Sequence, residues 1–496
     1  MDKKNIWVGR TAYQIMPDRF FREGGILEHI NGRKLKSWDD RMPDWEPDTD
    51  GEYRNLYFYG GNIKGIESKL EYLKGLGFDA IYLTPINQSI SYHHYDVIDH
   101  LVIDSWLGTW EDFKSMCDTA KKLDILIIVD LVFNHTGVNS IYFNDNKYKN
   151  WYKREEDGSP VFWWGFTDLP ECNTLSKDYQ KAMTKVVEKY LQRGASGIRL
   201  DLGENLPKEF LLAIQKVKDK FSDTIFIGEM WEIATDKSDP KVTNGQLDSV
   251  MNYPIADAIL RWIRYGYNEH FIYNFNRVYK EYPENVQNVL LNNIGTHDTP
   301  TTLTMLAGDK MNSNVFDKRI WDIESPWLQN GIFNTYGFRE FEAKNDELNS
   351  VTYEHGRKLL KLALTLLYSI PGIPCVYQGT EIGETGYKDP FNRKPYAWKK
   401  ENKEITDFVR KLGKFRAENK DVLATGKAEL VHVTTNLLVL DRISDSGKIR
   451  VILNRGNTHQ NIENFYLDCS ETVLQLNNNN SKELINPFSV LIIREH

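Results

Sequence analysis

The chain has few cysteines, no long apolar run and no excess of positive charge, and each lack removes a class of function. Its four cysteines, Cys117, Cys172, Cys375 and Cys469, lie far apart among 496 residues and form no CxxC pair. That spacing builds neither a zinc site nor a disulfide framework. No stretch approaches the ~18 apolar residues of a membrane span. The opening "MDKKNIWVGRTAYQIM" lacks the apolar core of a signal peptide. A reduced, cytoplasmic protein with no membrane partner is the expectation. The net charge of −8 argues against a nucleic-acid or anionic-membrane partner. Repeats are missing, and low complexity is limited to a brief "NNNN". What remains is 41% apolar and 12% aromatic, which suits a globular protein with a sizeable core and room for two or three domains.

Over roughly the first 400 residues, short β-like runs alternate with segments of helical periodicity. The runs are "TAYQIM" (from Thr11), "AIYLTPI" (from Ala80), "LIIVDLVFN" (from Leu126), "GIRLD" (from Gly197), "IFIGEM" (from Ile225), "SVMNYP" (from Ser249), "LLNNIGTHD" (from Leu290) and "IPCVYQGTE" (from Ile373). Continuous apolar runs suit parallel strands covered on both faces. Eight such units predict an α/β fold, a (β/α)8 TIM barrel whose site lies at the C-terminal ends of the strands. Polar residues fall there: Asp201, Glu229 and Asp298 each follow a strand. From about 415 the pattern turns to short alternating strands such as "LLVLDRI", a small antiparallel β domain. The predicted layout is a barrel over 1–134 and 176–414, an aromatic-rich inserted domain B over 135–175, and a C-terminal β-sandwich over 415–496. A second aromatic excursion, about 308 to 350, carries Trp321, Trp327, Phe333, Tyr336 and Phe338.

One stretch, "GASGIRLDLGENLPKEF" (194–210), poses a question: why does Arg199 stand two positions before Asp201? In a strand, residues i and i+2 share a face, so cation and carboxylate point the same way. An isolated pair of this kind is ordinarily a surface ion pair of little consequence. Three further polar clusters change its meaning. "DLVFNH" (Asp130–His135), "GEMWE" (Gly228–Glu232) and "GTHD" (Gly295–Asp298) each close another predicted barrel strand.

In this order the clusters resemble the α-amylase superfamily, glycoside hydrolase family 13. The resemblance implies that Asp201 is the nucleophile, Glu229 the general acid/base and Asp298 a third, substrate-distorting carboxylate. It extends through "GGNIKGIESKLEYLKGLGFDAIYLTPI", "YHHYD" (Tyr92–Asp96), "LPECN" (Leu169–Asn173) and "DPFNRKPYAW" (from Asp389). The last of these is similar to the Asp/Arg clamp of the cyclomaltodextrinase and neopullulanase group. "QLDSVMNYP", "LPKEF" and "WWGF" look closer to the α-amylase–pullulanase branch. Two carboxyl groups about 5–5.5 Å apart cleave a glycosidic bond with retention, through a covalent glycosyl-enzyme. On this reading Arg199 keeps Asp201 charged and oriented. The resemblance further implies sugar-binding roles for Tyr95 (stacking), His135 and His297 (hydrogen bonds to hydroxyls), Trp231 (an aglycone platform) and the pair Asp389 and Arg393. Trp163 and Trp164 suit packing as well as subsites. Asp130 and Asn134 match positions that are mainly structural.

The implied activity is a retaining hydrolase of maltooligosaccharides and related α-glucans, cutting α-1,4 bonds, with α-1,6 cleavage left open. A 4-α-glucanotransferase using the same site, or an inactive amylase-like binding protein, are the alternatives. No cofactor is required. The calcium loop of cyclomaltodextrinase relatives is replaced here by "FFREGG", and their GGD by "GGN". Those relatives also carry a β domain before the barrel that reaches across a dimer. Here the first strand begins at Thr11, so a monomer with a cleft open to linear chains is expected. After Asp201, "LGEN" departs from the family's usual sequence.

Overall fold

The computed structural model describes residues 5–24, 33–43, 57–235, 241–307, 347–399, 402–467, 470–478 and 481–495. Strands β1 (Ala12–Ile15), β2 (Ala80–Leu83), β3 (Leu126–Leu131), β4 (Gly197–Leu200), β5 (Ile225–Gly228), β6 (Ser249–Val250), β7 (Leu291–Asn293) and β8 (Ile373–Tyr377) form one parallel sheet. Its order is β6-β5-β4-β3-β2-β1-β8-β7. A parallel bridge between Met251 and Leu291 joins the two ends, and the Asn252 N–H donates to Leu291 O at 2.9 Å. The sheet therefore closes into the expected barrel. Every residue of β1, β2, β4 and β5 is buried, which is why these strands read as unbroken apolar runs.

Register decides what faces what. Asp130 on β3 pairs with Arg199 on β4, and Leu200 on β4 pairs with Gly228 on β5. One step past that last pair stand Asp201 and Glu229, side by side at the C-terminal rim. Helices wrap the barrel. α1 (Trp110–Lys122) starts with a capping box in which Thr109 and Asp112 satisfy each other's backbone N–H groups. α2 (Lys177–Gln192) is capped by Ser176 and buries Tyr179, Met183, Val186, Val187 and Tyr190 on one stripe. α3 (Tyr253–Tyr265) and α4 (Ser350–Ser369) flank β7 in sequence, and α5 (Lys403–Glu418) follows β8.

The expected boundary at 414/415 falls inside α5, and the C-terminal sheet starts at Lys427. Its strands β9 (Lys427–Val433), β10 (Leu437–Ser444), β11 (Gly447–Asn454), β12 (Glu471–Leu476) and β13 (Ser489–Glu495) are antiparallel, in the order β9-β10-β11-β13-β12. A two-stranded sheet, Gln460–Asn461 with Leu484–Ile485, packs on it. Period-2 alternation sends Leu437, Val439, Ile452, Leu491 and Ile493 to that outer cluster. Leu438, Leu440, Val451, Leu453, Val490 and Ile492 go to the core shared with the barrel. Arg442, wholly buried, ties the two together by donating to Ser369 O (2.7 Å), Leu423 O (2.9 Å) and Gly426 O (3.0 Å).

Segment 135–175 has little regular structure. It is held by isolated bridges (His135 with Glu171, Tyr152 with Cys172, Phe162 with Pro170) and by aromatic packing. Most of the second aromatic excursion, 308–346, lies outside the described residues, as does Cys469. Cys117, Cys172 and Cys375 are buried free thiols. No helix among the described residues is long and apolar enough to cross a membrane.

One buried acid makes stability depend on pH. Glu381, just past β8, is wholly buried and accepts from Tyr13 Oη at 2.5 Å. Burial pushes its carboxyl up to about 7, against the pull of the Tyr13 and Tyr396 hydroxyls. A group raised in the folded state contributes stability below its unfolded value, near 4.5, and loses it as pH climbs through the folded value. The loss between pH 4.5 and above 7 amounts to about 3 kcal/mol. Glu381→Gln should therefore raise Tm at pH 8 and shrink the Tm difference between pH 5 and pH 8. Melts with the same pH dependence as the wild type would exclude Glu381 as its source.

Candidate active site

A single guanidinium organises the rim of the barrel. Arg199 on β4 is wholly buried. Its Nη1 donates to Asp201 Oδ1 at 3.0 Å and to both Asp130 oxygens at 2.9 Å, and its Nη2 lies 3.1 Å from Glu229 Oε2. Nε completes the set with Met251 Sδ at 3.4 Å. Arg199 is thus not the private partner of Asp201 that the RxD spacing suggests. It is shared among three carboxylates, Asp130 on β3 and Asp201 and Glu229 just past the ends of β4 and β5. Burial opposes its charge, but Asp130 and Glu229 hold the guanidinium protonated, well above its ordinary range. Burial raises Asp201 well above the usual carboxylate range. Arg199 pulls it down, and Glu229 and Asp130 push it up.

The backbone after β4 is bent to serve the same cluster. Leu202 adopts φ 47°, in the left-handed region, and its N–H donates to Glu229 Oε2 at 2.9 Å. A buried leucine there is a strained residue, of the kind that gathers at working sites. Gly203 follows because nothing larger fits. A Cβ at that position would lie 2.8 Å from Gly228 Cα and 3.0 Å from Glu229 N.

Asp298 reaches the cluster from the loop after β7. Its Oδ1 is 3.3 Å from His297 Nε2 and 3.3 Å from Arg393 Nη2. Burial and then Glu229 push its carboxyl up to about 7, against Arg393 and Arg199. Gln14 Nε2 donates to His297 Nδ1 at 2.9 Å, so the His297 proton sits on Nε2, facing Tyr95 Oη (2.5 Å) and Asp298. Burial keeps His297 neutral, with Arg393 and Arg199 adding to the effect. Arg393 also binds Asp389 (3.3 Å) and donates through Nε to His297 O at 2.9 Å. The Asp389–Arg393 pair is therefore one link in a chain that ends on Asp298. Tyr95 donates to Asp130 Oδ2 at 2.9 Å and lies parallel to the His297 ring, 5.3 Å between centroids. Trp231, half-buried just after Glu229, has one face covered by Tyr253, with centroids 3.9 Å apart. His135 is buried at the root of the 135–175 segment, stacked on Trp163, and burial lowers it to about 4.

The family model "alpha amylase, catalytic domain" matches residues 14–165 and 148–345. The chain belongs to the α-amylase family. It is 29% identical over 478 residues to the maltogenic α-amylase of Bacillus acidopullulyticus, covering 90% of this chain and 70% of that protein. It is 28% identical over 541 residues to an amylopullulanase of Thermoanaerobacter thermohydrosulfuricus, covering 93% of this chain and 34% of that one. The chain thus spans about a third of the length of that much longer relative. Among solved structures, the type III pullulan hydrolase of Thermococcus kodakarensis superposes with a TM-score of 0.80 at 24% identity, over 99% of this chain and 83% of the other.

Within this family framework, some participants carry little or no mark in the sequence. Asp130, expected to be mainly structural, is central to the charge cluster. Its signal is a carboxylate inside the apolar run "LIIVDLVFN". Gln14 and Tyr82 (Tyr82 Oη to Asp130 Oδ2, 2.8 Å) are inward-facing barrel residues with no motif to mark them. Glu204, in the departing "LGEN", is pushed up to about 7 by burial and by neighbouring Glu229, and its N–H donates to Glu229 O at 3.2 Å. Among the described residues no three His, Cys, Asp or Glu side chains converge as a metal site would need. Residues 25–32, where "FFREGG" ends, lie outside them.

Proposed function

We propose that this α-amylase family member is a retaining glycoside hydrolase acting on maltooligosaccharides and related α-glucans. Its nucleophile is Asp201, its general acid/base Glu229 and its substrate-holding carboxylate Asp298. The observation that carries the reading is one buried guanidinium gripping Asp201 and Glu229 at the ends of adjacent strands, with Asp298 facing them. In the first step an Asp201 oxygen bonds to the anomeric carbon as the glycosidic C–O bond breaks, and Glu229 gives its proton to the leaving oxygen. In the second, water attacks the same carbon, Glu229 takes the water proton, and the bond to Asp201 breaks. Two inversions return the α configuration. His297, with its proton on Nε2, and Arg393 are placed beside Asp298 to orient hydroxyls of the sugar under attack. Relatives called maltogenic α-amylase, cyclomaltodextrinase and amylopullulanase support an α-glucan as the substrate.

NMR of the earliest product from maltoheptaose tests the mechanism, and the α-anomer is expected first. An initial β-anomer would remove the covalent intermediate. The pH dependence of kcat/KM should be bell-shaped, with limbs that belong to the coupled carboxylates as a set rather than to one residue. Cleavage of pullulan beside maltoheptaose sets the bond preference.

A further inference from the structure

Gln14 takes no part in the two displacements, yet it touches a residue that does. It lies on β1 and pairs in register with Tyr82 on β2. The two side chains therefore share the inner face of the barrel, where Tyr82 Oη reaches Asp130 at 2.8 Å. The buried Gln14 amide meets His297 Nδ1 at 2.9 Å, across 283 positions of sequence. The His297 ring has little other freedom. Its own carbonyl accepts from Asn392 Nδ2 (2.7 Å) and Arg393 Nε (2.9 Å), and the ring lies within 1° of parallel to Tyr95. What is left to settle is which ring nitrogen carries the proton. In a neutral imidazole the partner of the other nitrogen decides that.

A glutamine amide can present either its NH2 or its carbonyl, so the Gln14–His297 pair does not choose by itself. The far end of the chain chooses. Arg199 Nη1 donates to both oxygens of Asp130, which holds that carboxylate as an acceptor. Tyr95 has one hydroxyl proton and gives it to Asp130 Oδ2 at 2.9 Å. Its oxygen can then only accept from His297 Nε2, 2.5 Å away. Burial keeps His297 neutral, and Arg393, Arg199 and His93 each oppose a second proton. The single proton is thus committed to Nε2, and Nδ1 is a bare, buried acceptor that costs free energy unless a donor meets it. Gln14 is that donor.

We propose that Gln14 is a positioning residue that locks His297 in the tautomer with its proton on Nε2. That N–H lies 3.3 Å from Asp298 Oδ1, where the sugar hydroxyls would be oriented. Arg199, which grips the carboxylates, also sets the direction of this chain through Asp130 and Tyr95. The functional half of the proposal rests on the sugar-orienting role given to His297 above.

Gln14→Glu is the discriminating variant, because it keeps the shape and changes the proton count. Burial favours the neutral form of the new carboxyl at low pH, and in that form it donates to Nδ1 as the amide does. Once ionised it can only accept, so it draws the proton to Nδ1 and leaves Nε2 with none to give. Relative to wild type, kcat/KM on maltoheptaose should be within about twofold at pH 5 and down about tenfold at pH 8, the worth of one neutral hydrogen bond. Gln14→Met neither donates nor ionises, and its loss should be the same factor at both pH values. Nitrogen-15 NMR of histidine-labelled protein reads the tautomer directly, with the His297 signals identified by their loss in His297→Gln. Wild type should show a bare Nδ1 and a protonated Nε2, and Gln14→Glu at pH 8 should show the reverse.

A wild type with its proton on Nδ1 overturns the proposal. So does a Gln14→Glu loss that is the same at pH 5 and pH 8, which would make Gln14 a packing residue. If Gln14→Glu does not fold, the wild-type spectrum decides. If the wild type cleaves no α-glucan, the spectra decide alone, since the tautomer is read without substrate. A reversal on Gln14→Glu then keeps the lock and discards the hydrolase reading, whereas an unchanged tautomer discards the lock.

Discussion

Asp201→Asn is expected to lower kcat on maltoheptaose by a factor on the order of 10⁴–10⁶, the cost of losing a nucleophile from a unit that acts together. An amide oxygen cannot carry the bond to the anomeric carbon through two displacements, whereas its shape is nearly that of the carboxylate. Oδ1 of the variant can still accept from Arg199 Nη1, so the rim should keep its geometry. Stability should hold or rise. Burial, with Glu229 and Asp130 nearby, already raises the Asp201 carboxyl well above its usual range, so the folded state bears a cost for that charge. A neutral amide removes that cost, in keeping with the common exchange of stability for activity at such sites. Adding Glu229→Gln should lower kcat little further, because the two residues serve one reaction and their losses do not add. Substantial turnover by Asp201→Asn, after contaminating enzyme has been excluded, would take the nucleophile's role away from it.

The second large effect concerns the fold itself. Arg199→Met should cost about 3–5 kcal/mol, as removal of one partner from a buried ionic cluster does. Three carboxylates, Asp130, Asp201 and Glu229, share that guanidinium, and none gains a new cation when it goes. They can then stay buried only by taking up protons. Groups held protonated in the folded state stabilise it at low pH and release that stability as pH rises. Urea unfolding should therefore show a larger deficit at pH 8 than at pH 5. Arg199→Lys should fall between the two, because one ammonium cannot replace a planar fork that meets three carboxylates at once. If Arg199→Met costs under about 1 kcal/mol at pH 8, the guanidinium is not what holds the cluster.

Much of the fold and of the candidate site is legible in the amino-acid chain alone. The eight strands are readable because a strand buried on both faces must be apolar throughout, and the helices because one stripe of each must be. Asp201, Glu229 and Asp298 stand out because charged residues ending apolar runs have few structural excuses, and family resemblance supplies their order. That Arg199 and Asp201 share a face follows from the two-residue period of a strand, a local rule. Which carboxylates Arg199 meets does not follow. The β3–β4 register sets Asp130 beside it, and the β4–β5 register brings Glu229 within 3.1 Å. The link from Asp389 through Arg393 to Asp298 needs segments about 90 residues apart to meet across the rim. The His135–Trp163–Trp164 pile needs a segment with almost no regular structure to fold back on its own root. Sequence periodicity reports which face of an element turns inward, since burial acts on each residue separately. It is silent on which inward face meets which, because barrel closure and strand register arise only when distant pieces of the chain pack against each other.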